Sequence, residues 1–300
     1  MGTLLDITVY HYDEPGARRL LKKAFALAER LDGVLSNYKD DSEVSRLNGM
    51  GGGGRMRVSP DFYDFLLQAK KWRARTQGAF DPTIGPLLEL WRSAGVRKET
   101  PTDAELQAAL RWVGMAQVLF HGDGQVELAQ AGARIDTGGL GKGYAVDRMV
   151  ESFRSSGIRA GLVNFGQSSV YALGSPPGRP AWKLLLRFHD RRPLGVVRLK
   201  DSAFSASDAL GRYFEIRGKR YGHLIDPRSG MPVTERVRAS VVAPSATAAE
   251  ALSKYVVLRG CGWSGPDALE SRVKAVRFVD GHKTLCSGEF PLDPFERAGP

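Results

Sequence analysis

Asp136-Thr137-Gly138-Gly139-Leu140-Gly141-Lys142-Gly143 runs directly into Tyr144-Ala145-Val146-Asp147, and the helix that follows, read over residues 143–156, stops at Gly157. Glycines at such a strand-to-helix junction let backbone amides approach a phosphate closely, and a helix N-terminus favours negative charge. Lys142 adds a point charge at the same place. The segment is not a Walker loop, because Gly143 stands where Ser or Thr follows the lysine and Asp136 occupies the leading glycine. Its glycines are also wrongly spaced for the dinucleotide fingerprint. These residues alone leave two readings open, a tight turn before a helix and an anion site.

Outward from this junction, helices and short strands alternate irregularly. A strand is expected over residues 4–11, followed by an amphipathic helix opened by Pro15 with Leu20, Leu21, Ala24, Phe25, Leu27, Ala28 and Leu31 at helical spacing. A second helix is expected over 60–76, burying Phe62, Phe65, Leu66, Ala69 and Trp72. Thr102 with Glu105 spells a capping box for a third over 103–113. Residues 118–120 and 126–128 flank His121-Gly122-Asp123-Gly124, a hairpin by its turn chemistry. Beyond residue 160 short strands dominate, at 161–164, 169–173, 182–188, 196–199 and 238–242, with one further helix over 247–258. The class is therefore α+β, mixed and largely antiparallel. Gly49-Met50-Gly51-Gly52-Gly53-Gly54 reads as a flexible loop and not a phosphate cradle, since no Lys-Ser/Thr and no capped helix follow it. Residues 1–260 read as one domain and 261–300 as a C-terminal extension packing on it, with a loose proline-bearing tail.

The chain has 300 residues, 42% hydrophobic and 25% charged, an ordinary soluble composition able to bury a sizeable core. No apolar run approaches the roughly 20 residues of a membrane span. No signal peptide is visible, so the sequence as written reads as cytoplasmic, or periplasmic if an export segment was trimmed before Met1. Cys261 and Cys286 are too few for a disulfide scaffold and read as two reduced thiols. The net charge of +10 favours anionic partners. Its lysines and arginines are scattered, as in Lys22-Lys23, Lys70-Lys71 and Arg191-Arg192, so a solvated basic surface is preferred over a nucleic-acid footprint.

Three more segments carry chemistry. In Tyr221-Gly222-His223-Leu224-Ile225-Asp226-Pro227-Arg228-Ser229-Gly230 the Asp-Pro-Arg-Ser-Gly part is a turn, and His223 is either structural or catalytic. In Gly78-Ala79-Phe80-Asp81-Pro82-Thr83, Asp81 either caps the turn or accepts from a ligand. In Ala249-Glu250-Ala251-Leu252-Ser253-Lys254, residues 250 and 254 share one helical face, one turn apart.

The order and spacing of these segments, with Met1-Gly2-Thr3, Ser36-Asn37-Tyr38 and Ser42-Glu43-Val44-Ser45-Arg46-Leu47-Asn48 ahead of them, resembles the FAD:protein FMN transferases, the ApbE family of flavin transferases. The likeness covers about residues 1–260. It implies a two-lobed domain with a flavin site between the lobes. The implied activity breaks the pyrophosphate of FAD, attaches FMN to a Thr or Ser hydroxyl of an acceptor flavoprotein and releases AMP. By the same resemblance Met1, Tyr38, Ala79, Phe80, Asp81, Asp136 and Lys142 hold FAD, His223 is the base, and Mg2+ is held by the Gly139 carbonyl, Glu250 and the side chain at position 254.

Four departures from the family pattern bear on that last set. Glu250 stands for the usual Asp, and Lys254 for the usual Thr, which removes an oxygen ligand and adds a cation. Two unit positive charges 4 Å apart repel by about 4 kcal/mol at an effective dielectric near 20. Gly166-Gln167-Ser168 replaces Gly-Gly-Asp, and Ser205-Ala206-Ser207-Asp208 replaces Thr-Ser-Gly, so that Asp208 could supply a substitute carboxylate. Two expectations follow: a transferase with a rearranged metal site, or a FAD-binding homologue without turnover in which Lys254 pairs with Glu250 or touches the pyrophosphate.

Overall fold

The computed structural model describes residues 2–187, 192–264, 271–287 and 289–294. Strand β1 (Leu5–Val9) alternates in burial and leads into helix α1 (Glu14–Leu35). Asp13 caps α1 by accepting from the Gly16 amide at 2.9 Å, and Pro15 occupies its first turn, where no amide donor is needed. Helix α2 (Glu43–Gly49) and strand β2 (Met56–Arg57) follow, then α3 (Pro60–Arg75), capped by Ser59. Helices α4 (Gly85–Arg97) and α5 (Asp103–Leu110) come next, and Thr102 and Glu105 close the expected capping box on α5. Strands β3 (Val118–His121) and β4 (Gln125–Leu128) form the expected hairpin.

Helix α6 (Gly141–Ser155) starts at the glycine junction. After it come β5 (Gly161–Phe165), β6 (Ser169–Leu173), β7 (Trp182–Arg187), β8 (Pro193–Leu199) and β9 (Ser202–Asp208). The short strands β10 (Tyr213–Ile216) and β11 (Lys219–Gly222) pair with each other. Strand β12 (Val237–Ala243) leads into helix α7 (Ala246–Arg259), and β13 (Lys274–Val279), β14 (His282–Ser287) and β15 (Leu292–Asp293) complete the described chain. The expected end of the β7 strand at Phe188 lies outside the described residues, as does Met1.

The main sheet has seven strands in the order β1-β5-β6-β9-β12-β13-β14, and every neighbouring pair is antiparallel. The α+β, largely antiparallel reading therefore holds. Helix α6 packs on β5 and β6, and α7 on β9 and β12. The largest apolar cluster fills this helical side, with Leu31, Phe62, Phe65, Val146, Phe153 and Leu252 all buried. A second cluster on the other side packs Trp182, Leu186 and Val197 of the β15-β8-β7 sheet against Val170, Phe204 and Val276. Covered on both faces, β6 is buried at every position, which explains why Ser169-Val170-Tyr171-Ala172-Leu173 lacks polar alternation.

The segment after residue 260 supplies the last two strands of the main sheet, β13 and β14. One feature differs from the sequence reading. Cys261 and Cys286 are not reduced thiols; they form a disulfide. The reason is tertiary. The residue just past the α7 cap and a residue of β14 come to a Cα separation of 4.6 Å, a proximity that 25 positions of sequence do not announce.

Candidate active site

The close approach of α6 to α7 builds the site. A β-carbon on Gly143 would lie 2.6 Å from the Ala246 carbonyl oxygen, so the first turn of α6 meets the start of α7 only because residue 143 has no side chain. Asp147, one turn further along α6, accepts from the amides of Ala246 at 2.7 Å and Thr247 at 2.8 Å, and from the Thr247 hydroxyl at 2.6 Å. One helix thus caps the other. The contact brings Lys142, near the start of α6, beside Glu250 on α7, with Nζ to Oε1 at 3.3 Å.

Glu250 is 1% exposed and both of its carboxylate oxygens have partners. Oε2 accepts from the Gly143 amide at 3.0 Å, and Oε1 accepts from the Ser169 hydroxyl. Burial works to raise its pKa, but Lys142, Lys254 and these two donors together hold it below the ordinary carboxylate value. Lys254, one turn on, is half-buried and runs beside Gly139, where an added β-carbon would lie 3.9 Å from its Cε. Burial brings the Lys254 ammonium down to about 8; Glu250 opposes the fall and Lys142 adds to it.

These groups open onto a cleft of about 600 Å³, within the roughly 300–1,000 Å³ range of small-molecule sites. Tyr38, Ala79, Phe80, Asp81, Asp136, Gly139, Lys142, His223, Glu250 and Lys254 all line it. Every residue singled out for the site is therefore on one cavity wall, except Met1, which lies outside the described residues. Tyr38 is 77% exposed and free to stack, whereas the Phe80 ring is buried beneath Gly139. Asp81 takes the turn role: Oδ1 accepts from the Thr83 amide at 2.9 Å and the Thr83 hydroxyl at 2.5 Å, and Oδ2 pairs with Arg73. Asp136 accepts from the Gly138 amide at 2.8 Å, and burial raises its pKa against the opposing charge of Arg92.

His223 follows β11, on the turn whose Asp226 makes a two-pronged ion pair with Arg259 at the end of α7, at 2.5 and 2.9 Å. That pair ties the histidine loop to the helix carrying Glu250 and Lys254. Nδ1 of His223 lies 3.1 Å from the Arg212 carbonyl, so a donating Nδ1–H leaves Nε2 as an acceptor. Burial lowers the imidazole pKa, the Arg212 carbonyl opposes it, and the Lys254 and Arg212 charges deepen it.

The magnesium set implied by the resemblance does not fit these residues. Both oxygens of Glu250 already face partners, a cation and two hydrogen-bond donors, and position 254 carries an ammonium where the set needs an oxygen ligand. Asp208 lines the cleft but turns Oδ1 to the Leu210 amide at 3.1 Å. Among the described residues no group of three or more His, Cys, Asp or Glu is arranged to hold a metal. Sequence reasoning missed Arg92 and Arg212, two cleft cations, and Ser169, the donor to Glu250. Arg92 and Arg212 carry no local signal, and a serine opening an apolar strand is the one hint Ser169 gives.

An antiparallel α+β scaffold frames a cleft lined by Lys142 from the first turn of α6, by Glu250 and Lys254 of α7, and by a histidine-bearing turn. The chain belongs to the ApbE family, whose family model matches residues 1–275. It is 31% identical to the FAD:protein FMN transferase of Treponema pallidum (strain Nichols), over 98% of this chain and 89% of that protein. It is 30% identical to the enzyme of the same name from Salmonella typhimurium, over 97% and 86%. Among solved structures, the ApbE protein of Thermotoga maritima superposes with a TM-score of 0.82 at 27% identity, covering 95% of this chain and 94% of that one. The flavin transferase ApbE of Vibrio cholerae gives 0.78 at 25% identity, covering 96% and 94%.

Proposed function

We propose that this chain transfers FMN from FAD to a Thr or Ser hydroxyl of an acceptor flavoprotein, releasing AMP. The observation that carries the reading is the meeting, in one cleft of dinucleotide size, of His223 with the cations Lys142 and Lys254. His223, neutral near pH 7 because its pKa is lowered, accepts the hydroxyl proton on Nε2. The hydroxyl oxygen bonds to the FMN phosphorus, the bond from that phosphorus to the bridging oxygen breaks, and the electron pair leaves with AMP. Lys142 and Lys254 counter the charge that collects on the phosphate oxygens. Tyr38 is suited to stack on a flat ring.

A second reading, a FAD binder without turnover, is favoured by the engaged carboxylate of Glu250 and by Lys254. Incubation with FAD and a threonine-bearing acceptor peptide, with and without magnesium, separates the two. The transferase reading expects covalent FMN on the peptide by mass, abolished by His223→Asn. FAD-dependent thermal protection with no peptide labelling leaves the binder. No thermal shift at millimolar FAD defeats both. The Cys261–Cys286 disulfide supports an oxidising compartment for the folded protein, since such bonds persist there and are rare in the cytosol.

A further inference from the structure

We infer that Lys142, Glu250 and Lys254 form a metal-free diphosphate site, in which the two ammonium groups receive the phosphates and Glu250 holds Lys142 in place. The inference rests on the cleft being a FAD site, and it changes what does the holding there.

Three observations carry it. Glu250 is sealed at 1% exposure, with the Gly143 amide, the Ser169 hydroxyl and Lys142 on its two oxygens. It therefore works as a buried counter-ion that holds a lysine in place. Lys254 lies one turn beyond it on the cleft wall, with its stem near Gly139, so the wall carries a cation where a metal set would need an oxygen ligand. Finally, Lys142 leaves the first turn of α6, where the helix end already favours anions. With both lysines protonated the trio carries one net positive charge, and an ammonium offers three donors where magnesium demands oxygen ligands. Phosphate oxygens suit the first arrangement and relieve it.

Calorimetric titration of FAD, and of ADP as a diphosphate without flavin, compares the full-length protein in EDTA and in excess magnesium. The expected result is the same affinity within about twofold in the two buffers, and at least about a tenfold loss for Lys254→Met in EDTA. Lys254→Arg, which keeps the charge, is expected to retain most of the affinity. Manganese binding read by electron paramagnetic resonance is expected to be absent in the parent protein and to appear in Lys254→Thr combined with Glu250→Asp. The parent measurements need no variant, so a misfolded Lys254→Met leaves the test standing. A parent affinity that falls tenfold or more in EDTA, or one bound manganese ion in the parent, overturns the inference while leaving the FAD reading intact. No FAD binding in either buffer overturns both.

Discussion

His223 has to be neutral to take a proton, and its surroundings arrange that. Burial lowers its pKa below the ordinary 6.5, and the Lys254 and Arg212 charges push the same way against the Arg212 carbonyl and Asp208. A lowered folded-state pKa means the neutral ring is favoured: its contribution to stability is complete above 6.5 and is lost as pH falls towards the folded value. The acid limb of kcat/KM is accordingly expected to inflect below pH 6.5, and Lys254→Met to move it upward by removing one repelling charge. Rates measured from pH 5 to pH 8 check this; a limb above 6.5 contradicts it. Gln167 offers a second test at this scale. It sits at φ 56° beside Gly166 at φ 66°, in the turn joining β5 to β6, where a side chain costs about 1–2 kcal/mol. Gln167→Gly removes that cost but loosens the unfolded chain, so a net gain of roughly 0.5–1 kcal/mol is expected, read as a small rise in Tm. The positions of His223, Lys142 and Asp136 were legible because turn and glycine chemistry leaves local marks. The partners of Glu250 were not, since Ser169 lies 81 positions away and reaches it through the sheet.

Between elements, the α6–α7 contact decides whether the site exists. Asp147 satisfies two amides and a hydroxyl at the head of α7, while Ser245 accepts from the Ala248 amide at 3.1 Å. Asp147→Ala leaves donors without a partner in a buried place, and a loss of roughly 2–4 kcal/mol is expected. Because α7 carries Glu250 and Lys254, FAD affinity is expected to fall together with stability. Denaturant unfolding and FAD titration on the same variant check the coupling; a destabilised variant with unchanged affinity argues against it. Helices with strong N-terminal signals, such as Pro15, Pro60 and the Thr102–Glu105 box, were readable in the sequence. Helix α4 was not: Ile84 gives it no side-chain cap, and its Gly85-Pro86 start looks like loop. Helix α2 spans only seven residues, too short for periodicity to show.

At the scale of the molecule, the seven-stranded sheet runs past the point where sequence reading set a boundary, because β13 completes β12 along its whole length. The disulfide closes the loop between α7 and β14, so the helix that carries Glu250 and Lys254 is tied covalently to the outermost strand of the sheet it packs on. Neither cysteine hints at this alone, since pairing depends on how a helix end and a strand meet. Trp263 reinforces the same corner by donating from Nε1 to the Arg75 carbonyl at 2.9 Å, which ties it to the end of α3. Closing a loop of about 25 residues restricts the unfolded chain by roughly 3–4 kcal/mol in the chain-entropy account. Reduction, or Cys261→Ser with Cys286→Ser, is therefore expected to lower Tm by roughly 5–10 °C in a chain of this size. Alkylation under non-reducing conditions, followed by mass measurement, is expected to find no free thiol in the folded parent. Two alkylated cysteines with an unchanged Tm on adding reductant would show that the corner is held by packing alone. A lowered Tm with FAD affinity intact would place the bond in the service of stability, leaving the α6–α7 contact to position the cleft.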